Sequence, residues 1–261
     1  MESLLVIKIG GNIIDEESKL DSFLKEFASI EGKKILVHGG GKLATRLAEQ
    51  MGVEQQLVDG RRITDPATLQ IVTMVYAGTI NKNIVARLQA LGCNALGLTG
   101  ADGNAVQAHK RAHATIDYGY VGEVDTIDTE LLGSLLDQGL TLVFAPITHD
   151  RKGQLLNTNA DTIAQEIAKG LSKKFETSLV YSFEKSGVLM DAEDDSSVIG
   201  RIDPVYYQEL KEKQVIFAGM IPKLDNAFAA LQSGVGKVII GKAEHLRQLI
   251  EGQSGTTIVH E

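Results

Sequence analysis

The chain has 261 residues with 26 Lys or Arg and 34 Asp or Glu, so its formal net charge is −8 and its pI is about 5.3. The composition, 43% hydrophobic and 23% charged, excludes a disordered chain, and the acidic balance argues against a non-specific nucleic-acid binder. The single cysteine, Cys93, excludes an internal disulfide, and its apolar neighbours predict a buried side chain. No secretory signal opens the chain, and no apolar run reaches the roughly 20 residues of a membrane span, so we expect a cytoplasmic protein.

Short apolar runs alternate with amphipathic stretches along the chain. The runs predict buried strands at 4–9, 34–37, 95–98, 140–145, 178–181, 237–240 and 256–259. Apolar residues at helical spacing predict helices near 20–27, 43–51, 65–92, 131–136, 159–171, from 204 onward, 221–231 and 243–250. Residues 100–127 lack a helical period and predict hairpins. The alternation predicts an α/β fold, a three-layer αβα sandwich with a mainly parallel central sheet, and no linker divides residues 1–261.

The longest predicted helix begins at Asp65-Pro66 and ends before Gly92. At 1.5 Å per residue it would be about 39 Å long. Gly78 lies inside it and predicts a bend or a close helix contact. A helix of this length either reaches a dimer contact or is an ordinary core helix, and the sequence leaves both open.

Glycines follow the first two predicted strands, at the edge where parallel sheets bind ligands. Lys8 precedes Gly10-Gly11, and glycines there let the backbone approach a phosphate. An anion would stabilise the lysine charge at this position. The alternative is a lysine on an edge strand whose side chain extends to solvent. Gly40 and Gly41, after His38-Gly39, precede the second helix, whose N-terminus offers N–H groups to an anion. The two turns together favour a phosphorylated ligand.

Polar residues also gather where later helices begin. Arg61-Arg62 offer a guanidinium fork to a carboxylate, with a solvated basic pair as the alternative. Asn157, Asn159 and Asp161 crowd one helix start. Capping and the helix dipole account for Asn159 and Asp161, which leaves Asn157 as a candidate ligand contact. Lys223 lies in the first turn of another helix, where the dipole disfavours a cation unless it meets an anion.

Two other patterns predict no site. Gly236–Lys242 matches the first part of a phosphate-binding loop, but Ala243 lacks the magnesium-binding hydroxyl and the segment has the composition of a strand. The six histidines show no metal-ligand spacing on one helix, so we expect no metal held by the protein alone.

Eight short motifs, by their order and spacing, resemble the amino acid kinase family nearly end to end. Within it they resemble the members that phosphorylate an N-acylated glutamate, rather than those that act on carbamate, glutamate or aspartate. The motifs are K-I-G-G (8–11), V-H-G-G-G (37–41), G-R-R-I-T (60–64), A-G-T-I-N-K (77–82), G-L-T-G-A-D-G (97–103), G-Y-V-G-E-V (119–124), L-N-T-N-A-D (156–161) and G-M-I-P-K (219–223).

The resemblance implies phosphoryl transfer from ATP, with Mg²⁺ held through its phosphates, to the side-chain carboxylate of N-acetyl-L-glutamate, a step of arginine biosynthesis. It also implies a homodimer built on the long helix, with acylglutamate bound by about 1–175 and ATP by about 176–261. Lys8 and Lys223 would stabilise the transferring phosphoryl group, and Asp161 would hold both lysines. The residues that would bind the substrate are Gly40, Gly41, Arg62 and Asn157. Those that would bind ATP are Lys8, Gly10, Gly11, Gly187 and Lys223.

The sequence departs from the family pattern near both expected ligands. Glu184 stands where the nucleotide segment usually has Asp, and Thr148 stands where the family tends to have glycine. Two alternatives therefore stay open: N-succinyl-L-glutamate as the substrate, and a catalytically silent member that binds an amino acid for regulation. Retention of Lys8, Asp161 and Lys223 favours the kinase.

Overall fold

The structure, a computed structural model, describes residues 1–58, 61–191, 193–213, 215–216 and 220–261. Gly60 and Gly219, which belong to two of the family motifs, lie outside these ranges. The strands are β1 (Ser3–Ile9), β2 (Lys33–His38), β3 (Leu57–Val58), β4 (Arg61–Arg62), β5 (Ala95–Leu98), β6 (Val106–Lys110), β7 (Val121–Ile127), β8 (Thr141–Phe144), β9 (Ile147–His149), β10 (Leu155–Thr158), β11 (Glu176–Phe183), β12 (Arg201–Ile202), β13 (Lys237–Lys242) and β14 (Thr256–Ile258).

The α-helices are α1 (Gly11–Asp15), α2 (Glu17–Ser29), α3 (Gly41–Gln50), α4 (Pro66–Thr73), α5 (Asn81–Ala90), α6 (Thr129–Asp137), α7 (Ala160–Leu171), α8 (Pro204–Glu212), α9 (Ile221–Gln232) and α10 (Leu246–Ile250). A π-helical segment covers Met74–Ile80, and 3₁₀ turns cover Asp102–Asn104 and Ala243–His245. In the described part of the chain, no helix is both long and apolar enough to span a bilayer.

The central sheet joins eight strands in the order β12, β14, β13, β11, β1, β2, β8, β5. Neighbours pair in parallel except β13 and β14, which are antiparallel. Side-chain alternation along β1 puts Leu4 and Val6 in the core under α6–α9, whereas Ile7 and Ile9 enter the core under α1–α5 and α10. The predicted three-layer αβα sandwich is therefore confirmed. Cys93 is buried at 8% exposure, as its neighbours indicated.

The long helix predicted from Asp65 to Gly92 is confirmed, and it changes type in the middle. The Asp65 carboxylate accepts a hydrogen bond from the Thr68 N–H at 2.7 Å and caps α4. The π-helical segment, which contains Gly78, joins α4 to α5 without leaving helical backbone angles. Such π segments are uncommon and often lie at functional sites.

A small closed sheet forms beside the central one from β10, β7, β6 and β9. The hairpin of β6 and β7 fulfils the prediction for residues 100–127, while β9 and β10 were not predicted. Thr148 of β9 is fully buried there, with its Oγ1 2.7 Å from Oγ1 of Thr158. A Cβ at Gly122 would lie 2.5 Å from the Thr158 hydroxyl, so this interior has room only for glycine.

Candidate active site

Two clefts open at the carboxyl edge of the parallel strands. The first, here called the lysine cleft, is lined by Lys8, Asp161, Tyr181, Ser182, Phe183, Lys223 and Asn226. The second, here called the arginine cleft, is lined by Gly39, Gly40, Gly41, Leu57, Arg61, Arg62, Tyr76, Val121, Pro146, Asn157, Thr158, Asn159 and Ala160.

Lys8 lies near the end of β1, an interior strand between β11 and β2. This position excludes the alternative of a lysine that snorkels from an edge strand. The Nζ atom lies 2.8 Å from Oδ1 of Asp161, and the Lys8 side chain is only 18% exposed. Because Asp161 is in the first turn of α7, the ion pair fixes the ammonium where the sheet meets that helix.

Lys223, in the first turn of α9, lines the same cleft. Its Nζ lies 4.3 Å from the centroid of the Phe183 ring, which is a cation–π contact. Burial lowers the pKa of Lys223, the Asp161 charge opposes that shift, and the Lys8 charge adds to it. Within the described residues, no carboxylate oxygen lies within 4.0 Å of this ammonium. Asp161 therefore pairs with Lys8 alone here, and its expected hold on Lys223 stays a prediction.

The glycines expected to contact ATP divide into two groups. Gly10 and Gly11 are not among the residues that line either cleft, but Gly10 contacts one that is: its N–H donates to the carbonyl of Ser182 at 2.8 Å. A Cβ at Gly11 would meet nothing within 4 Å. Gly187 is buried and lines neither cleft. A Cβ there would lie 2.7 Å from Oγ1 of Thr256, so packing against β14 already requires this glycine. Its contact with the nucleotide stays a prediction.

Arg62 projects into the arginine cleft and is 9% exposed, which rules out the solvated basic pair for this residue. Its Nη2 donates to the Gly41 carbonyl and to Oγ1 of Thr45, both at 2.9 Å, and its Nη1 donates to Oε1 of Gln55. Tyr76 lines the same cleft, and burial raises the pKa of its phenol against the opposing effect of the Arg62 charge.

The glycine turn after β2 packs tightly on the π-helical segment. Gly40 has φ +150°, and a Cβ at this position would overlap Cδ1 of Ile80. Only glycine fits this site, which caps the start of α3 and leaves the backbone of Gly40 and Gly41 at the cleft. The π-helical segment therefore shapes the floor of the arginine cleft.

A buried side-chain network ties this glycine turn to the long helix. His38 is fully buried; its Nδ1–H donates to the Gly39 carbonyl at 2.8 Å and its Nε2 accepts from Nδ2 of Asn81 at 3.1 Å. The same Asn81 amide also donates to the Val143 carbonyl at 2.9 Å. Burial lowers the pKa of His38 to about 4, so the ring is neutral at pH 7.

The start of α7 joins the two clefts. Asn159 accepts from the N–H groups of Asp161 and Thr162, so it acts as the expected N-cap. Asn159 and Ala160 line the arginine cleft and the next residue, Asp161, lines the lysine cleft. Asn157 lines the arginine cleft and donates to Oγ1 of Thr64 at 3.0 Å, and its contact with a ligand stays a prediction.

Several residues that line the clefts were not predicted from the sequence. Tyr76 occupies one of the regularly spaced core positions of the long helix, so the pattern does not distinguish it from its apolar neighbours. Phe183 ends a buried strand and likewise looks like an ordinary core residue. Asn226 carried a usable signal, because it follows Lys223 by three residues and therefore shares its helix face.

Comparison with known proteins shows which family the chain matches. A model of the amino acid kinase family matches residues 3–242. An acetylglutamate kinase from Parabacteroides distasonis is 56% identical over 248 residues, which cover 95% of this chain and 97% of that protein. An acetylglutamate kinase from Cytophaga hutchinsonii is 56% identical over 262 residues, which cover 99% of each.

Two solved structures, both below 25% identity, share the fold. An N-acetylglutamate synthase from Neisseria gonorrhoeae, complexed with coenzyme A and N-acetyl-glutamate, has a TM-score of 0.84 and 23% identity, with 100% of this chain and 60% of that chain covered. A carbamate kinase from Giardia lamblia bound to AMP-PNP has a TM-score of 0.69 and 13% identity, with 100% and 99% covered. On the family match and the full-length relatives, the chain belongs to the amino acid kinase family.

Proposed function

We propose that this chain transfers the γ-phosphoryl group of ATP to the side-chain carboxylate of N-acetyl-L-glutamate, giving N-acetyl-L-glutamyl 5-phosphate for arginine biosynthesis. The observation that carries the proposal is the junction of the two clefts at the start of α7. Asn159 and Ala160 face one cleft and Asp161 the other, so a phosphate among the lysines and an acyl-glutamate beside Arg62 would meet at one helix N-terminus. The full-length relatives named acetylglutamate kinase support the same reaction.

The reaction needs no general base. A γ-carboxylate is ionised at pH 7, so its oxygen attacks the γ-phosphorus directly while the bond to the bridging oxygen of ADP breaks. No proton moves in this step. Catalysis then consists of positioning and of neutralising the charge on the transferring group, which is the chemistry that Lys8 and Lys223 offer.

Arg62 would hold the α-carboxylate at the far end of the substrate. Its guanidinium is buried against neutral acceptors, so a carboxylate entering the cleft would be its charged partner. The backbone N–H groups at Gly40 and Gly41, at the N-terminus of α3, and the Asn157 amide would bind the remaining polar groups of the acylated amino acid.

Magnesium fits this site as a companion of ATP. Among the described residues, no group of three or more His, Cys, Asp or Glu side chains is placed to hold a metal ion. Mg²⁺ commonly binds through substrate phosphates with one or two carboxylates, and Asp161 lines the lysine cleft. When bound, the ion supplies positive charge to the phosphate oxygens.

We also propose a homodimer built on the long helix. The outer face of the helix presents Met74, at 43% exposure, beside exposed Gly78 and Thr79. Light scattering after size exclusion checks the assembly: a mass near 56 kDa, twice the 28.1 kDa chain, supports it and a mass near 28 kDa contradicts it.

The activity is tested by ADP release at saturating Mg-ATP with three acceptors: N-acetyl-L-glutamate, N-succinyl-L-glutamate and L-glutamate. The proposal expects the highest kcat/KM for N-acetyl-L-glutamate. A higher value for the succinyl compound reassigns the acyl group, and ligand-dependent thermal shifts without ADP release from any acceptor identify the silent regulatory alternative.

A further inference from the structure

The guanidinium of Arg62 is held entirely by uncharged acceptors. They are the Gly41 carbonyl, the Thr45 hydroxyl and the Gln55 side-chain oxygen. Three of the five N–H donors of the side chain are used in this way. Across the residues that the structure describes, no carboxylate oxygen lies within 4.0 Å of this group, so its positive charge is available to an anion in the cleft.

Gln55 is held in place from its other end. Its Nε2 donates to Oγ1 of Thr68 at 3.1 Å and to the Glu54 carbonyl at 3.2 Å. Thr68 is buried at 1% exposure in the first turn of α4, where its N–H is capped by Asp65. Because a guanidinium only donates, the amide oxygen must face Arg62 and the amide nitrogen must face Thr68. The amide therefore connects Arg62 to the start of the long helix.

The chemistry at position 55 decides what Arg62 can bind. A glutamate would fit the same space and accept the same hydrogen bond, but it would bring a negative charge to the guanidinium. The α-carboxylate of a substrate would then meet an ion pair rather than a cation. An apolar side chain would leave the charge in place and remove the contact that orients it.

We propose that Gln55 is a positioning and specificity-determining residue: it orients Arg62 while keeping the site cationic for the α-carboxylate of an acylated amino acid. The inference rests on the proposed function. It assigns a role to a side chain that touches Arg62 rather than the reacting atoms, so it affects substrate binding and leaves the phosphoryl transfer unchanged.

Three variants test the role: Gln55→Glu, Gln55→Met and Gln56→Glu. The last is the matched control, because Gln56 is exposed and receives the same charge change one residue away. For Gln55→Glu we expect KM for N-acetyl-L-glutamate to rise about 10- to 100-fold, the range covered by a charge-assisted hydrogen bond. For Gln55→Met we expect a smaller rise, about 2- to 10-fold, because the charge of Arg62 stays and only the contact that orients its guanidinium is lost. Both should keep kcat within about threefold and KM for ATP unchanged, because the α-carboxylate is bound alike in the ground and transition states.

Thermal unfolding separates this role from a structural one. Gln55→Glu should melt close to the wild-type temperature while binding its substrate worse, because the new ion pair with Arg62 offsets the lost donations from the amide nitrogen to Thr68 and Glu54. The inference is overturned if KM for Gln55→Glu does not exceed that for Gln55→Met, or if Gln56→Glu shows an equal rise. If Gln55→Glu does not fold, a KM for Gln55→Met within twofold of wild type overturns it. Absence of turnover by the wild-type protein would instead overturn the proposed function.

Discussion

Acidification from pH 7 to pH 4 should destabilise the protein through one buried side chain, His38. In the neutral ring, Nδ1–H donates to the Gly39 carbonyl and Nε2 accepts from the Asn81 amide. A proton on Nε2 would convert this atom from a hydrogen-bond acceptor into a donor, and it would then face the N–H donor of the Asn81 amide. It would also place a charge in a fully buried site where the Lys82 ammonium repels it.

The magnitude follows from the pKa of His38, which burial lowers from 6.5 to about 4. The unfolded chain takes up the proton below pH 6.5 and the folded chain only near pH 4, so the unfolded state binds more protons in this window. The free energy of unfolding attributed to His38 is therefore constant above pH 6.5 and decreases as the pH falls. The decrease is about 1.4 kcal/mol per pH unit and about 3 kcal/mol in total at pH 4.

Urea unfolding of the wild type and of His38→Gln, between pH 7.5 and pH 4, measures the effect. Carboxylates titrate in both proteins, so the difference between the two free energies of unfolding isolates His38. We expect this difference to shift against the wild type by about 3 kcal/mol between pH 7 and pH 4. A difference that stays constant with pH would show that protonation of His38 is not opposed by its surroundings.

Other substitutions test the two clefts. Lys8→Ala and Lys223→Ala should each lower kcat at least about 100-fold, far more than they raise KM for ATP, as expected for groups that stabilise the transition state; two variants with wild-type kcat would remove both from the chemistry. Arg62→Ala should raise KM for the acyl-glutamate about 10- to 100-fold and spare KM for ATP, and an unchanged KM would refute the carboxylate contact. Gly40→Ala should lower the free energy of unfolding by about 1–3 kcal/mol, because φ is +150° and a Cβ overlaps Ile80; equal urea midpoints would contradict this packing.

The strands and helices that bury one face were predictable, because burial of one face gives each element type a characteristic spacing of apolar residues. β1, β2 and β11 lie where the apolar runs predicted, and Asp65 and Asn159 cap helices as their types indicated. The strands β9 and β10 were missed because at least half of the residues in each are polar, whereas the similarly short β5 and β8 are mostly apolar. Their buried hydroxyls, such as Thr148, interrupt the apolar pattern that marks a strand.

The candidate site was predictable where a residue type is energetically unfavourable at its position. Lys8 near a strand end and Lys223 in a first helical turn each suggested an anion, and the fold places both in one cleft. Gln55 gave no such signal, because a neutral amide before a hairpin costs nothing locally. Its role depends on Arg62 and Thr68, which only the tertiary structure brings to either end of the amide.

The most direct test of the proposed reaction is trapping of its product. Mg-ATP and N-acetyl-L-glutamate are incubated with the protein in hydroxylamine, which converts an acyl phosphate to a hydroxamate, and the hydroxamate is compared with the ADP formed. The transfer described here predicts equal amounts of hydroxamate and ADP, with neither formed by the double variant Lys8→Ala, Lys223→Ala. ADP without hydroxamate, or no ADP at all, would contradict phosphorylation of the side-chain carboxylate.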